Sequence, residues 1–330
     1  MGKIFKRIIL ILIIIGAWEF LAIRPVPAKI TYGVSFSKFH SDELQLDWEK
    51  TYLSILNDLE VKNLRLSAHW PMIQPTVSKY NFEEIDFQME EAKKRNVSVI
   101  LAVGRRLPGW PECHVPQWAA KLPESEQREK IIQMIKTLVK RYKDYPNLKY
   151  WQVENEPFLG LFGRSHCGQP DEDFLKQEID LVHKDDPDHP VLVTDSGELG
   201  TWYQSYRNSD IFGTSVYLYI WSTVLGPIRY PIGPSFFRVK QKIIEAFKGD
   251  KPKILIELSA EPWLLEPIID TPIETQLDRM GIDKFNEMIK FSAKAGFDTQ
   301  YLWGAEWWYW MNEHNHPEFW QRAKEIFKQI

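Results

Sequence analysis

Two glutamates in the sequence follow apolar runs, at positions where buried strands would end. Glu156 lies two residues after the run LKYWQVE, between Asn155 and Pro157, and Glu257 lies near the end of the run KILIEL. A carboxylate at the end of a buried strand is costly unless it is paired, hydrogen-bonded or chemically active. These two residues are therefore the first candidates for chemistry.

Two carboxyl groups that face each other can cleave a glycosidic bond. One of them, with a raised pKa, protonates the leaving oxygen, and the other, ionised, attacks the anomeric carbon. We predict that Glu156 and Glu257 fill these two roles, and we expect Pro157 to hold Glu156 in an extended conformation. Glu261, in the same segment LIELSAEPW as Glu257, competes with it.

The elements that must position these glutamates alternate between strand and helix along the chain. Eight short apolar runs predict strands at residues 30–36, 61–67, 97–104, 148–154, 190–195, 211–217, 253–258 and 299–304. Helical patterns cover residues 43–59, 82–95, 124–145, 171–186, 236–248, 275–295 and 317–329, with a short signal near 199–209. Alternation of this kind indicates a parallel sheet.

Eight strand–helix units over roughly 300 residues fit an α/β fold of the (β/α)₈ TIM barrel type. An open doubly wound sheet is the alternative. It would be favoured by a glycine-rich phosphate turn after an early strand, and the segment GVSFSKFHSDE contains none. The barrel is therefore the predicted fold.

Active sites of such barrels lie at the C-terminal ends of the strands. Polar, charged and aromatic residues follow the predicted strands, which a purely structural barrel would not need. The candidates for substrate binding are Arg65, His69, Trp70, Trp110, Asn155, Tyr217, Trp263, Trp303, Glu306 and Trp307. Each also has a structural interpretation, as an ion pair at the rim, a core side chain or a strand cap.

The triplet Asn155-Glu156-Pro157 after the fourth strand, with Glu257 after the seventh, resembles the clan A glycoside hydrolases, the cellulase-like retaining enzymes on (β/α)₈ barrels. The resemblance implies a double displacement on β-glycosides, with Glu156 as acid/base and Glu257 as nucleophile. It further implies that Asn155 binds the sugar 2-hydroxyl. No cofactor or metal is expected.

Further positions match the same family pattern. Arg65 in LRLSAHW resembles the strand-two arginine that supports the nucleophile, and Tyr217 in SVY resembles the strand-six tyrosine that hydrogen-bonds it, with Tyr219 as its competitor. The resemblance implies that Trp303 or Trp307 forms the floor of the −1 subsite.

Two positions depart from the family pattern, so the chain is not assigned to a subfamily. Glu154 precedes Asn155 where an apolar or aromatic residue is usual, and Ser215 stands where many members have histidine. We expect Glu154 to be structural and to bridge a basic group such as Arg105 or Arg106.

The composition favours a carbohydrate partner and gives no electrostatic case for nucleic acid. The net charge is −4, and aromatic residues make up 14% of the chain, including 14 Trp. Tryptophans fill cores well, but they also form stacking platforms for sugar rings. Two other functions of the same barrel remain open, namely transglycosylation and carbohydrate binding without turnover.

The first 28 residues differ from the rest of the chain and are predicted to be a signal peptide or a membrane anchor. A basic start is followed by an apolar run, so that residues 8–23 are a possible anchor. Residues 29–330 are then expected to form a single catalytic barrel, secreted or membrane-anchored outside the cytoplasm.

The two cysteines of the chain fall in the loops after the third and fourth strands, which are neighbours in a barrel. Export would permit a disulfide between Cys113 and Cys167, and we expect this bond to brace the rim. His114 and His166 flank the cysteines, so a Cys₂His₂ zinc site and free thiols are the alternatives.

Overall fold

The computed structural model describes residues 26–160, 167–222 and 224–328. In chain order its ten strands are β1 (Thr31–Phe36), β2 (Asn63–Ser67), β3 (Ser98–Val103), β4 (Leu148–Val153), β5 (Val191–Asp195), β6 (Ile211–Val216), β7 (Tyr219–Ser222), β8 (Gly226–Arg229), β9 (Lys253–Ser259) and β10 (Thr299–Trp303). Eight of them are parallel and close into a barrel, in which β10 pairs with β1. The predicted (β/α)₈ barrel is confirmed, and each predicted strand lies within two residues of its observed ends.

The remaining two strands, β7 and β8, form an antiparallel hairpin after β6 that the sequence patterns did not predict. The helices in the described residues are α1 (Lys38–Glu43), α2 (Trp48–Asn57), α3 (Trp70–Ile73), α4 (Glu83–Lys94), α5 (Glu124–Tyr142), α6 (Glu172–Asp185), α7 (Tyr203–Arg207), α8 (Pro234–Lys248), α9 (Ile273–Arg279), α10 (Ile282–Ser292), α11 (Ala305–Glu313) and α12 (Glu318–Lys328). The helix predicted over residues 275–295 is interrupted at Gly281, which is the N-cap of α10.

The barrel strands place apolar residues both on the side that faces the helices and in the barrel interior. On β2, Leu64 and Leu66 belong to the large cluster between barrel and helices, so Arg65 between them faces the barrel interior. A smaller cluster fills part of that interior and consists of Ile100, Leu192, Ile211, Ile254, Ile256 and Tyr301. Strand alternation alone therefore aims Arg65 at the centre of the barrel.

An extra residue in β9 aims Glu257 at the same interior. Thr214 of β6 pairs with Leu255, whereas the next residue, Ser215, pairs with Glu257, so Ile256 has no counterpart. Regular alternation would turn Glu257 to the same side as Leu255, towards the helices. Irregularities of this kind redirect a side chain next to an active site. Here Ile256 and Glu257 both face the interior.

Residues 1–25, which contain most of the predicted signal or anchor segment, lie outside the described residues. Within the described ranges, no helix combines the length and the apolar character that crossing a membrane would require.

The predicted disulfide between Cys113 and Cys167 is confirmed, with the two Cα atoms 5.3 Å apart. It joins the segment after β3 to the segment after β4. Because both sulfur atoms are bonded to each other, the zinc site and the free thiols that were considered for these cysteines are not formed. His166, the fourth residue of that zinc alternative, lies outside the described residues.

Replacing both cysteines, Cys113→Ser with Cys167→Ser, should lower the free energy of unfolding by about 2–4 kcal/mol, because the bond closes a long loop in the unfolded chain. The measurement is thermal or urea denaturation of the wild type and the double variant, each with and without reductant. Reductant should destabilise the wild type alone. A wild type that unfolds identically in both conditions and like the variant would contradict the expectation.

Candidate active site

The guanidinium of Arg65 connects three strands inside the barrel. Its side chain is buried, with the residue 1% exposed. Nε donates to Gln152 Oε1 at 2.8 Å, Nη1 to Glu257 Oε2 at 2.5 Å and Nη2 to Asn155 Oδ1 at 2.7 Å. The three acceptors come from β4, from β9 and from the segment after β4. Arg65 therefore fixes both the carboxylate of Glu257 and the amide of Asn155, which were predicted to belong to the site.

Glu257 receives a hydrogen bond on each carboxylate oxygen. Arg65 occupies Oε2, and the hydroxyl of Tyr217 donates to Oε1 at 2.5 Å. Burial raises the pKa of Tyr217 well above its usual range, and the charge of Glu257 raises it further, so the phenol keeps its proton. Tyr219, the competing tyrosine, instead donates to Glu287 at 2.5 Å.

Glu156 is held by contacts to β5 and β6. Its backbone N–H donates to Thr194 Oγ1 at 2.7 Å, and Ser215 Oγ donates to its carboxyl Oε1 at 2.6 Å. The prediction of an extended conformation is wrong, since Glu156 has a φ of 46°. A positive φ costs a non-glycine residue of order 1–3 kcal/mol, and the hydrogen bonds from both strands outweigh the local preference imposed by Pro157.

The surroundings of Glu156 favour its protonated form. Burial raises the pKa of its carboxyl well above the usual range, and the nearby charges of Glu257 and Glu112 raise it further. The hydrogen bond from Ser215 and the charge of Arg106 act in the opposite direction. Glu156 is thus suited to donate a proton, while the contacts of Glu257 stabilise a carboxylate.

Glu154 has the structural position that we expected, with different partners. Its two oxygens accept hydrogen bonds from the backbone N–H groups of Arg105 at 2.7 Å and Arg106 at 2.6 Å, not from the guanidinium groups. Burial raises its pKa, and Glu178 of α6 also hydrogen-bonds its side chain. A Cβ at Gly104 would lie 2.4 Å from Glu154 Oε1, so the glycine leaves room for this carboxyl.

Glu261, the competing nucleophile, belongs to a separate group of side chains. It accepts a hydrogen bond from Trp303 Nε1 at 2.7 Å and contacts His40 Nε2 at 2.9 Å. Burial alone would lower the pKa of His40, but the carboxylates of Glu261 and Glu43 outweigh it and raise the pKa well above its usual range. Glu261 thus forms an ion pair with His40 and shares neither hydrogen-bond donor of Glu257.

The tryptophans divide between core and rim. The expectation that Trp70 and Trp307 bind substrate is wrong, because both are fully buried and donate their Nε1–H to Gln74 and Gln276. Their large apolar rings pack between the barrel and the helices and do not lie at the mouth of the barrel. Trp110, which is 60% exposed, and the partly exposed Trp263 lie at the rim, whereas Trp303, at the end of β10, is only 7% exposed. Trp263 packs edge-on against Tyr217 with ring centroids 5.3 Å apart.

Glu306 and His69 are both buried below the rim. Glu306 Oε1 accepts the backbone N–H of Ser37 at 2.6 Å, which makes it a cap for the end of β1. Burial raises its pKa to about 7. His69 Nε2 lies 3.2 Å from the carbonyl oxygen of Pro108, and its ring packs against His114 at 4.3 Å. Burial lowers the pKa of His69 well below its usual range, so this ring is neutral.

Four residues of the site were not predicted to be part of it. Ser215 and Thr194 bind Glu156, but in the sequence Ser215 stands out only as a departure from a family pattern. Arg106 and Glu112 lie beside Glu156 in the loop after β3, a segment without a recognisable motif. Across the described ranges, no group of three or more His, Cys, Asp or Glu side chains is placed to hold a metal ion.

Replacing Arg65 by glutamine should lower the free energy of unfolding by about 3–5 kcal/mol, because it leaves a buried carboxylate without its cation. The matched control is Arg105→Gln, which removes a guanidinium that pairs with the half-exposed Glu124, 3.1 Å away, and donates to the carbonyl oxygen of Cys167 at 3.3 Å. The free energy of unfolding of Arg105→Gln should fall by less than about 1 kcal/mol. Urea denaturation of both variants tests the expectation, and losses of equal size would contradict it.

Comparison with known proteins relates residues 40–223 to a glycoside hydrolase 42 family model described as beta-galactosidase. Beta-galactosidase Pbg from Clostridium perfringens is 31% identical over 184 residues, which cover 47% of this chain and 25% of that protein. The chain thus corresponds to about a quarter of the length of this relative.

Solved structures share the fold at low sequence identity. A polyextremophilic beta-galactosidase from the haloarchaeon Halorubrum lacusprofundi has a TM-score of 0.57 and 15% identity, covering 83% of this chain and 52% of that one. A GH5_18 protein from Bifidobacterium longum subsp. longum has a TM-score of 0.60 and 15% identity, covering 84% and 70%. At this identity the similarity concerns the barrel alone.

Proposed function

Since the chain belongs to the glycoside hydrolase 42 family, whose model is described as beta-galactosidase, we propose that it hydrolyses β-galactosides with retention of configuration at the anomeric carbon. One observation carries the proposal. Glu257 is held by Arg65 and Tyr217 as a carboxylate, and across the same barrel mouth burial and the charge of Glu257 raise the pKa of Glu156. Two carboxyl groups in different protonation states are what a double displacement requires.

In the first step, Glu257 attacks the anomeric carbon as Glu156 gives its proton to the leaving oxygen. The glycosidic bond breaks and an ester bond forms between the sugar and Glu257. In the second step, Glu156, now ionised, takes a proton from water, and the water oxygen attacks the same carbon. This attack releases Glu257 as a carboxylate and returns Glu156 to its protonated form. Two inversions give net retention.

The hydrogen bonds of Glu257 position it before the substrate arrives. Arg65 and Tyr217 bind different oxygens of the carboxylate and so fix its plane as well as its place. Positioning of this kind lowers the entropic part of the barrier. Asn155, whose Oδ1 is held by Arg65 and Thr194, is the residue that we assign to the sugar 2-hydroxyl.

The choice of galactosides rests on the family description and on the names of the relatives. The Clostridium perfringens relative and the Halorubrum lacusprofundi neighbour are both named beta-galactosidases. Trp263 and Trp110 at the rim, and Trp303 at the end of β10, remain as candidates for stacking on sugar rings.

We also propose that the protein works outside the cytoplasm. The disulfide between Cys113 and Cys167 supports this, because such bonds persist in oxidising compartments. The basic and apolar composition of residues 1–28 suits export, and residues 8–23 would provide the attachment if the protein is anchored.

The decisive experiment compares the wild type with Glu257→Ala on nitrophenyl β-glycosides of galactose, glucose, mannose and xylose. We expect turnover of the galactoside by the wild type and a loss of about 10⁴-fold or more in the variant, because the nucleophile is gone. Added azide should restore activity and give the glycosyl azide of inverted configuration.

The matched control is Glu261→Ala, which removes a carboxylate of the same rim. Its residual activity should not respond to azide. Rescue of Glu261→Ala instead of Glu257→Ala would reassign the nucleophile. A folded wild type that binds sugars without turning over any glycoside would overturn the hydrolase proposal in favour of a binding protein, and disaccharide products in place of free sugar would favour transglycosylation.

The pH dependence of kcat/KM provides a second prediction. The alkaline limb should report loss of the proton from Glu156. Ser215→Ala removes a hydrogen bond that lowers the pKa of Glu156, so the pKa rises and the limb should move to higher pH. Ser205→Ala, which removes another buried hydroxyl, on helix α7, is the control and should leave the limb in place. A limb that shifts to lower pH in Ser215→Ala would contradict the prediction.

A further inference from the structure

One loop contacts the residues that hold both glutamates of the proposed mechanism. We call residues 196–202, which lie between β5 and α7, the β5 loop. Its Gly197 N–H donates to Ser215 Oγ at 3.3 Å, and Ser215 donates to Glu156 Oε1 at 2.6 Å. A serine hydroxyl has a single proton, so a hydroxyl that accepts from the loop keeps that proton for the carboxyl on its other side. The β5 loop therefore sets the orientation of the hydroxyl that binds the proposed acid/base.

The β5 loop also reaches the side of the proposed nucleophile. Glu198 Oε1 accepts the backbone N–H of Tyr217 at 2.9 Å, and the hydroxyl of Tyr217 donates to Glu257 at 2.5 Å. Gly197 passes so close to β6 that a Cβ there would lie 2.0 Å from the carbonyl oxygen of Ser215. A shift of this loop would therefore disturb the contacts of both carboxyl groups together.

A lysine from outside the barrel holds the β5 loop in place. Lys240 of α8 donates from Nζ to the carbonyl oxygens of Gly197 at 2.6 Å and Gly200 at 2.8 Å. The same ammonium lies 4.2 Å from the ring centre of Trp202, a favourable cation–π distance. Asp195 accepts the backbone N–H of Trp202 at 2.8 Å and so anchors the far end of the loop. The ammonium of Lys240 thus connects three residues of one loop.

The charges around Lys240 differ from those around Glu156. Burial lowers the pKa of Lys240 to about 8, and the carboxyl groups of Asp195 and Glu198 act in the opposite direction. Burial raises the pKa of Glu198 to about 7. The charges that act most strongly on Glu156 are those of Glu257, Glu112 and Arg106. The connection from Lys240 to the proposed acid/base therefore runs through the hydrogen bonds of the β5 loop.

We propose that Lys240 is a positioning residue, which holds the β5 loop so that Ser215 directs its hydroxyl proton to Glu156. The inference rests on the proposed function. Without the contacts of Lys240, the N–H of Gly197 would no longer orient the Ser215 hydroxyl. The pKa of Glu156 would then rise, because the hydrogen bond from Ser215 lowers it. The contact of Glu198 with the segment after β6 would loosen at the same time.

The test is a cycle of variants in which the pH dependence of kcat/KM is measured. Lys240→Met removes the donors in a side chain of similar length and should move the alkaline limb to higher pH. In a Ser215→Ala background the same substitution should produce no further shift, because the hydroxyl through which Lys240 acts is gone. A shift that persists in that background would show that Lys240 acts through its charge and would overturn the proposal, as would an unmoved limb in Lys240→Met.

The kinetic constants distinguish positioning from a role in stability alone. Misplaced catalytic groups lower kcat more than they raise KM, so Lys240→Met should lose about 10- to 100-fold in kcat with little change in KM. Lys240→Arg, whose guanidinium can still donate to both carbonyl oxygens, should recover most of this loss. A folded Lys240→Met variant with the kcat of the wild type would overturn the proposal.

Lys251→Met is the matched control. Lys251 also donates from Nζ to two backbone carbonyl oxygens, those of Tyr206 and Ser209, and lies 4.7 Å from the ring centre of Tyr206. Neither carbonyl group belongs to the β5 loop, so Lys251→Met should keep the kcat and the alkaline limb of the wild type. Equal shifts of the limb in both lysine variants would overturn the proposal.

Circular dichroism and thermal denaturation establish that each variant is folded. If Lys240→Met does not fold, Lys240→Gln, which keeps one donating group, takes its place in the cycle. Its alkaline limb should also move to higher pH in the wild-type background and stay in place in the Ser215→Ala background. An unmoved limb in the first background, or a shift in the second, would overturn the proposal.

Failure of the proposed function is recognised separately. If the wild type turns over no glycoside, the titration of Glu156 is followed by NMR with ¹³C-labelled glutamate carboxyl groups, and Glu156→Gln identifies the signal. A pKa of Glu156 that rises in Lys240→Met, but rises no further when Ser215→Ala is already present, would support the positioning role without hydrolysis. A pKa of Glu156 that Lys240→Met leaves unchanged would overturn it.

Discussion

The arrangement of the site depends on one buried cation. A guanidinium enclosed in a barrel is stable only if acceptors surround it, and Arg65 obtains three of them, from Gln152, Asn155 and Glu257. Each acceptor comes from a different point on the barrel wall, so a single side chain sets the distances between β2, β4 and β9. Because the buried charge of Arg65 must be compensated, the carboxylate of Glu257 is held in a fixed position.

Local irregularities supply what regular strands cannot. The extra residue in β9 turns Glu257 inward. Positive φ angles at Glu154 and Glu156 let these two glutamates, two residues apart in the chain, point in different directions. Glu154 binds the backbone of the neighbouring loop, while Glu156 reaches Ser215 of β6. Each deviation costs free energy that the surrounding hydrogen bonds offset.

Much of this could be predicted from sequence because strand patterns are local. The eight strands follow from apolar runs of the right length, and Arg65 follows from alternation on β2. The register shift at Ile256 could not be predicted, because it depends on how β9 pairs with two neighbours at once. The buried positions of Trp70 and Trp307 could not be predicted either. A large aromatic side chain suits both the rim and the core, and only the packing of the whole fold decides between them.

The register shift in β9 also has a consequence for how the chain can vary. Most side chains of a barrel can be exchanged for others of similar size, but the direction of Glu257 is set by the number of residues before it as well as by its own identity. Deleting the unpaired Ile256 would leave Leu255 opposite Thr214 and Glu257 opposite Ser215, so a regular strand would still turn the carboxylate inward. A β9 that is one residue shorter could thus present the same carboxylate without the irregularity. The length of this strand and its register shift can therefore change only together.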